Sequence, residues 1–185
     1  MSDPMFRPTV RLLELDVPAR HPGALGQIEA IFWQTAARTL PLGAERDAFR
    51  ERWLGRYLQG GSDVVLIALA GGQGVVGYLV GAVENPAEQA RFADIGYFRT
   101  DFAELTRRFP AHLHINLAAG FRSQGIGARL VEAFAARANG AGAAGMHAVT
   151  GKGMRNVQFY ARCGFTEHAA AEWNGREIVF LGREL

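Results

Sequence analysis

The chain has 185 residues, 49% hydrophobic and 21% charged, a composition that fits one globular domain and excludes a disordered chain. The longest apolar run, Val64–Ala70, falls far short of the roughly 20 residues of a membrane helix; Met1–Val10 has no signal-peptide pattern; and the single cysteine, Cys163, excludes an internal disulfide framework and a cysteine-rich metal site. Twenty basic against 18 acidic side chains leave +2 with no dense basic run. The expected protein is cytoplasmic, with no nucleic-acid or membrane partner.

In chain order, residues 7–17 read as a strand and residues 22–40 as an amphipathic helix stopped by Pro41 and Gly43. Residues 44–59 read as a second helix, with Phe49, Trp53, Leu54 and Tyr57 on one side. Residues 63–70 and 75–83 form a hairpin across Gly71–Gly74. Residues 85–110 are hardest to read. They hold helix-like pieces near 87–92 and 101–109 and the apolar residues Phe92, Ile95, Tyr97, Phe98, Phe102, Leu105 and Phe109. Such a long connection suits a lid over a substrate, with Arg99, Asp101 or Glu104 as polar selectors, or a structural cap on the core.

Residues 112–118 alternate strictly. Leu113, Ile115 and Leu117 face one way, and His112, His114 and Asn116 the other. A glycine-bearing loop follows, then a helix over 127–138, a strand over 146–150 and a helix over 154–163 ending at Gly164. Residues 165–171 and 177–181 form a last hairpin around Asn174-Gly175. The order β-α-α-β-β-(α)-β-α-β-α-β-β describes a mixed α/β sheet.

The chemistry-bearing segment is Leu117-Ala-Ala-Gly-Phe-Arg122-Ser-Gln-Gly125-Ile-Gly127-Ala, running from a strand end into a helix start. Unpaired amides and the helix dipole attract phosphate at such a start, and glycines permit close approach. By itself a Gly-x-Gly is equally a packing device. There is no Gly-Lys-Ser/Thr, and Leu130 stands where a dinucleotide fingerprint has Gly or Ala.

Arg122-x-x-Gly125-x-Gly127 resembles the Arg/Gln-x-x-Gly-x-Gly/Ala signature of the GCN5-related N-acetyltransferases (GNAT). Downstream, Asn156-Val-Gln-Phe159-Tyr160-Ala-Arg162-Cys-Gly164-Phe165 resembles that family's second signature, and the element order matches over nearly the whole chain. The stretch Pro110-Ala-His-Leu-His-Ile-Asn-Leu resembles a subgroup that includes the acetyltransferase-like domain fused to protein O-GlcNAc hydrolases. That subgroup has Pro, an acidic residue, an aromatic and Gln-Gly before the final glycines. Here Ala119, Gly120, Phe121, Arg122 and Ser123 stand instead.

The resemblance implies a single domain over residues 1–185 with a helical insertion at about 85–110. The expected fold is an α/β, mostly antiparallel sheet of about seven strands flanked by helices and splayed between the strands at 112–118 and 146–150. It implies acetyl-CoA as cofactor, held by Leu117, Ala119, Arg122, Ser123, Gln124, Gly125, Ile126, Gly127, Ala128, Asn156, Phe159, Tyr160 and Arg162. A backbone N–H near Leu117 would take the developing oxyanion, and the Tyr160 hydroxyl would protonate the leaving thiolate. For the general base three options stand: His114 (with His112 beside it), Glu84, or a water relay. A metal site on His112 and His114 lacks a third ligand, so none is expected. The expected activity is transfer of an acetyl group to a primary amine, on a small molecule or peptide, by a monomer or homodimer. The alternative is a non-catalytic acyl-CoA-binding or interaction module on the same fold.

Overall fold

Every second residue of the central strands belongs to a different core, and this alternation organises the molecule. The structure, a computed structural model, describes residues 9–16, 22–36, 38–59 and 63–185. Residues 7, 8 and 17 of the strand expected at 7–17 lie outside these; the helix expected at 22–40 ends at Thr35, and that expected at 44–59 ends at Trp53 and gives way to a 3₁₀ turn over Gly55–Leu58. β1 (Val10–Glu14), β2 (Asp63–Ala70), β3 (Gly74–Ala82), β4 (Ala111–Leu117), β5 (Gly145–Gly151), β6 (Thr166–Trp173) and β7 (Arg176–Glu184) form one seven-stranded sheet in the order β1-β2-β3-β4-β5-β7-β6. Its helices are α1 (Pro22–Thr35), α2 (Ala44–Trp53), α3 (Ala103–Arg108), α4 (Ile126–Gly140) and α5 (Arg155–Arg162).

On β2, Val64, Leu66 and Ala68 enter a core with Leu130, Val131 and Phe134 of α4. Val65 and Ile67 enter a second core with Ile28, Ile31 and Phe32 of α1 and with Tyr57. A strand covered on both faces has no polar side to show, which is why β2 reads as a continuous apolar run. The β6–β7 turn matches its sequence signal. Asn174 and Gly175 have φ of 51° and 70°, the positive pair that a two-residue hairpin turn of this twist demands.

All neighbouring strands are antiparallel except β4 and β5, which are parallel and pair only at Ala111↔Met146 and His112↔His147. Beyond those two rungs the strands part. β5 stays registered with β7 as far as Gly151↔Ile178. At its end the Thr150 hydroxyl and Asn156 at the start of α5 hydrogen-bond at 2.8 and 3.0 Å. β5 is therefore held by β7 and α5, while β4 follows β3.

Residues 85–110, expected either as short helices walling the acceptor side or as a cap on the core, have their aromatics in the core. They form three short 3₁₀ turns (Pro86–Glu88, Ala90–Phe92, Gly96–Phe98) and α3. Phe92, Ile95, Tyr97, Phe98, Phe102 and Phe109 are all buried in the second core. The polar selectors are engaged locally: Arg99 donates to the Gln89 carbonyl, Asp101 accepts from Thr100, and Glu104 pairs with Arg107. The apolar surface that made a lid conceivable is spent on covering the sheet, as its size requires.

That core also holds two histidine rings, His112 and His147, stacked at 5.6 Å between Phe92, Phe98 and Phe180. Burial pushes His147 down to about 3 and His112 well below its ordinary value. The unfolded chain therefore binds protons that the folded chain refuses. The stability these neutral rings contribute is complete above pH 6.5 and is lost as pH falls towards their folded values, at about 1.4 kcal/mol per pH unit for each ring. Thermal melts should show a steady fall in Tm from pH 6.5 to pH 4.5, and replacing His147 by Phe should make it shallower without abolishing it, since His112 and His114 are lowered too.

Candidate functional site

A cavity of about 730 Å³ begins where β4 and β5 part. Thr35 of α1 and Asn116 of β4 line one side of it. Phe159, Tyr160 and Asn156 of α5, with Gly125, Gly127 and Ala128 at the start of α4, line the other. The cavity therefore passes through the sheet, from the α1 face to the α4–α5 face.

The alternation of β4 exposes backbone inside it. The Ala118 N–H donates to Val76 on the β3 side at 3.0 Å. Counting back by twos, Asn116 and His114 also direct their backbone groups to β3. Ile115 and Leu117 then direct theirs to the gap, where β5 is no longer in register. The Leu117 carbonyl is taken by Arg122 Nε at 3.1 Å. The N–H groups of Ile115 and Leu117 are thus donors on the cavity wall, one of them at the expected position and one two residues deeper.

α4 begins with no side-chain cap. Its N-cap, Gly125, sits at φ 78° and Ser123 at φ 59°, so the chain turns sharply through left-handed backbone before the helix. Arg129 N–H bonds back to the Gly125 carbonyl, which leaves the first-turn amides free at the cavity mouth. At Gly127 a Cβ would stand 3.0 Å from the Phe159 ring and 3.2 Å from Leu117, so glycine here is what lets α4 sit against α5 and β4. Arg122, Arg155 and Arg162 add three positive side chains to the lining. Arg155 was not foreseen. It lies seven residues before Arg162, two helical turns on the same face, and that spacing was the available signal.

Tyr160 is buried, its ring fixed between Phe159 and Phe165, each at 5.3 Å. Among the described residues its hydroxyl has no hydrogen-bond partner, and burial raises its pKa above that of an ordinary phenol. Asn156 lines the cavity while tied to Thr150. Of the thirteen expected cofactor residues, Leu117, Arg122, Ser123, Gly125, Gly127, Ala128, Asn156, Phe159, Tyr160 and Arg162 line this cavity. Ala119, Gln124 and Ile126 do not. Gln124 folds back onto the Gly120 carbonyl at 2.8 Å, and the Ile126 side chain turns into the core. Cys163 is buried at the cavity edge, and burial raises its pKa.

The two base candidates fall far apart. Glu84 is exposed and follows the end of β3. Ala82 of β3 pairs with His112, so Glu84 is level with the closed end of the β4–β5 pair, roughly 15 Å along the strands from Ile115. It does not line the cavity. His114 lies on β4 between the last closed rung and Ile115, its ring half-buried on the α1 face, and burial lowers its pKa to about 4. Its Nε2 is 3.1 Å from the Tyr57 hydroxyl, which is also 3.0 Å from His112 Nε2. Trp53 stands edge-on to His114 at 5.3 Å and meets Trp173 of β6 at 5.9 Å. Tyr57 was read as a core position alone, and nothing in local spacing linked it to residues so distant in sequence.

Uncapped helix amides, three arginines and a gap with free backbone donors suit an elongated ligand with an anionic end and an amide-bearing arm. Searched by sequence, curated proteins give no significant match. Solved structures do. SsHAT aligns with a TM-score of 0.68 and 21% identity over 96% of this chain and 98% of its own. The yncA protein of Salmonella typhimurium, solved with its cofactor acetyl-CoA, aligns with a TM-score of 0.58 and 17% identity over 95% and 94%. Ard1 of Thermoplasma volcanium aligns with a TM-score of 0.59 and 16% identity over 95% and 97%. At such identities the likeness is one of fold. The model of the acetyltransferase (GNAT) family matches residues 26–165, three-quarters of the sequence, and the chain belongs to that family.

Proposed function

We propose that the protein is an acetyl-CoA-dependent N-acetyltransferase that moves the acetyl group to a primary amine by direct attack on the thioester. The observation that carries this reading is the uncapped start of α4 opening onto a cavity that continues through the β4–β5 gap. In it, the α4 amides with Arg122, Arg155 and Arg162 hold the phosphates. Ile115 and Leu117 pair with the pantetheine arm. Bound there, acetyl-CoA supplies the activated acyl carbon.

The acceptor comes from the face that carries Thr35, Asn116 and His114, opposite α4 and α5. The amine arrives as the free base. The Ile115 or Leu117 N–H stabilises charge developing on the acyl oxygen. As the carbon–sulfur bond breaks, the Tyr160 hydroxyl gives its proton to the sulfur, and the phenol is restored from water. The amine's own proton leaves to water on the acceptor face. His114, held near 4, is too weak a base to draw it, and Glu84 is too far away. The resemblance of residues 110–117 to the O-GlcNAc hydrolase-linked domain rests on that stretch alone and names no acceptor.

Calorimetry with acetyl-CoA and a thiol-release assay over a panel of amines test this. Binding with release of thiol is the expected result. Binding with no release on any amine would favour the non-catalytic acyl-CoA-binding module, and no binding would overturn both.

A further inference from the structure

One hydroxyl, two imidazoles and a sealed-off nitrogen together fix the proton positions beside the acceptor face. Tyr57 Oη has one proton for two partners, His112 Nε2 at 3.0 Å and His114 Nε2 at 3.1 Å. It donates to one and accepts from the other. If it donates to His112, that ring's proton lies on Nδ1, which is buried with no partner. If it donates to His114, then His112 gives its Nε2–H to Tyr57, and its buried Nδ1 is a bare nitrogen. An orphaned buried N–H is the rarer condition. The neighbouring ring makes the same choice: His147 Nδ1–H donates to the Phe109 carbonyl, and its bare Nε2 is the atom left without a partner.

The chain of donors therefore runs from His112 Nε2–H to Tyr57, and from the Tyr57 hydroxyl to His114 Nε2. The remaining proton of His114 is on Nδ1. That atom has no partner among the described residues and, unlike His112 Nδ1 and His147 Nε2, it is not fully buried, so it remains partly accessible on the half-buried ring. Like Glu84, His114 is not one of the residues that line the cavity; its ring lies beside Trp53 on the face of β4 that carries Asn116, one residue before the wall at Ile115.

We propose that His114 is a specificity-determining hydrogen-bond donor, held by Tyr57 as its Nδ1–H form. It recognises acceptors that carry a carbonyl or carboxylate oxygen three bonds from the nucleophilic nitrogen, as amino acids and peptide N-termini do. The inference rests on the acetyl-transfer reading for its substrate class, whereas the proton position stands independently of it. A neutral imidazole N–H is a good donor to a carbonyl oxygen and retains that form throughout the neutral range. Tyr57, buried beneath it, is a positioning residue.

Two measurements test the proposal. Nitrogen-15 correlation spectra of the wild-type protein should show His114 as the Nδ1–H form, and Tyr57→Phe should shift it towards Nε2–H. A wild-type Nε2–H ring overturns the proposal whatever the enzyme does. The second measurement compares kcat/KM for phenylalaninamide with that for 2-phenylethylamine, which lacks only the carboxamide, each normalised to the neutral amine. Wild type should favour the amide, and His114→Phe should lower that preference roughly five- to tenfold, the weight of one hydrogen bond. His114→Asn, which returns a donor, should recover part of it. A preference unchanged in His114→Phe overturns the assignment. If wild type acetylates neither amine although the spectrum shows Nδ1–H, the substrate class is wrong, and the acetyl-CoA assay decides whether the acetyltransfer reading falls with it.

Discussion

Replacing Ala128 by Glu is expected to weaken acetyl-CoA binding at least thirtyfold while leaving the fold as stable as before, or slightly more so. Ala128 is exposed in the first turn of α4 and lines the cavity. A carboxylate in a first turn is favourable for the helix itself, since it faces the positive end of the dipole. The same carboxylate would occupy the space in which the α4 amides meet phosphate. At an effective dielectric near 20 and a separation of about 4–8 Å, each like-charge encounter there costs roughly 2–4 kcal/mol, of which salt screens part. Opposite signs for stability and binding make this more discriminating than a change at Gly127. There, any side chain would also press on Phe159 and Leu117. Calorimetry and a thermal melt on the same sample check it, and unchanged affinity would remove the phosphate from α4.

Tyr160→Phe is expected to lower kcat by ten- to a thousandfold with acetyl-CoA affinity within about twofold of wild type. The substitution deletes one oxygen and preserves the ring contacts with Phe159 and Phe165. Because that oxygen has no hydrogen-bond partner among the described residues, its removal strands no protein group. In the proposed mechanism the variant loses its proton source within the cavity, and such groups supply roughly two to four orders of magnitude. Steady-state turnover together with calorimetry separates the roles. Weakened binding with unchanged turnover would make Tyr160 a holder of the cofactor.

Much of this site was legible because its signals are local. Strict alternation over residues 112–118 set His114 and Asn116 on the face opposite Leu113 and Leu117, and the two cores separate them in that way. Gly125 and Gly127 marked the start of α4, where the structure has left-handed backbone and no side-chain cap, and Asn174-Gly175 marked the last turn. Residues 85–110 were harder because 3₁₀ turns have no long period to detect, and seven apolar side chains serve a lid as well as a core. What decides between these is the sheet surface they meet. The Tyr57 bridge was invisible for a related reason: residues 57, 112 and 114 share no spacing, and only tertiary packing makes one hydroxyl common to both rings.

The two rungs between β4 and β5 divide the sheet into a four-stranded plate and a three-stranded plate that meet like the blades of a pair of shears. Phe98 touches His112 on one blade and His147 on the other, and Phe109 lies against Phe180. The long connection at residues 85–110 is thus the pivot pin. Its aromatic rings bridge the two plates at their closed end, and none of them lines the cavity at the open end. A smaller side chain here, as in Phe98→Leu, would therefore loosen the joint between the plates without touching any residue that lines the cavity, and a lowered Tm would report it.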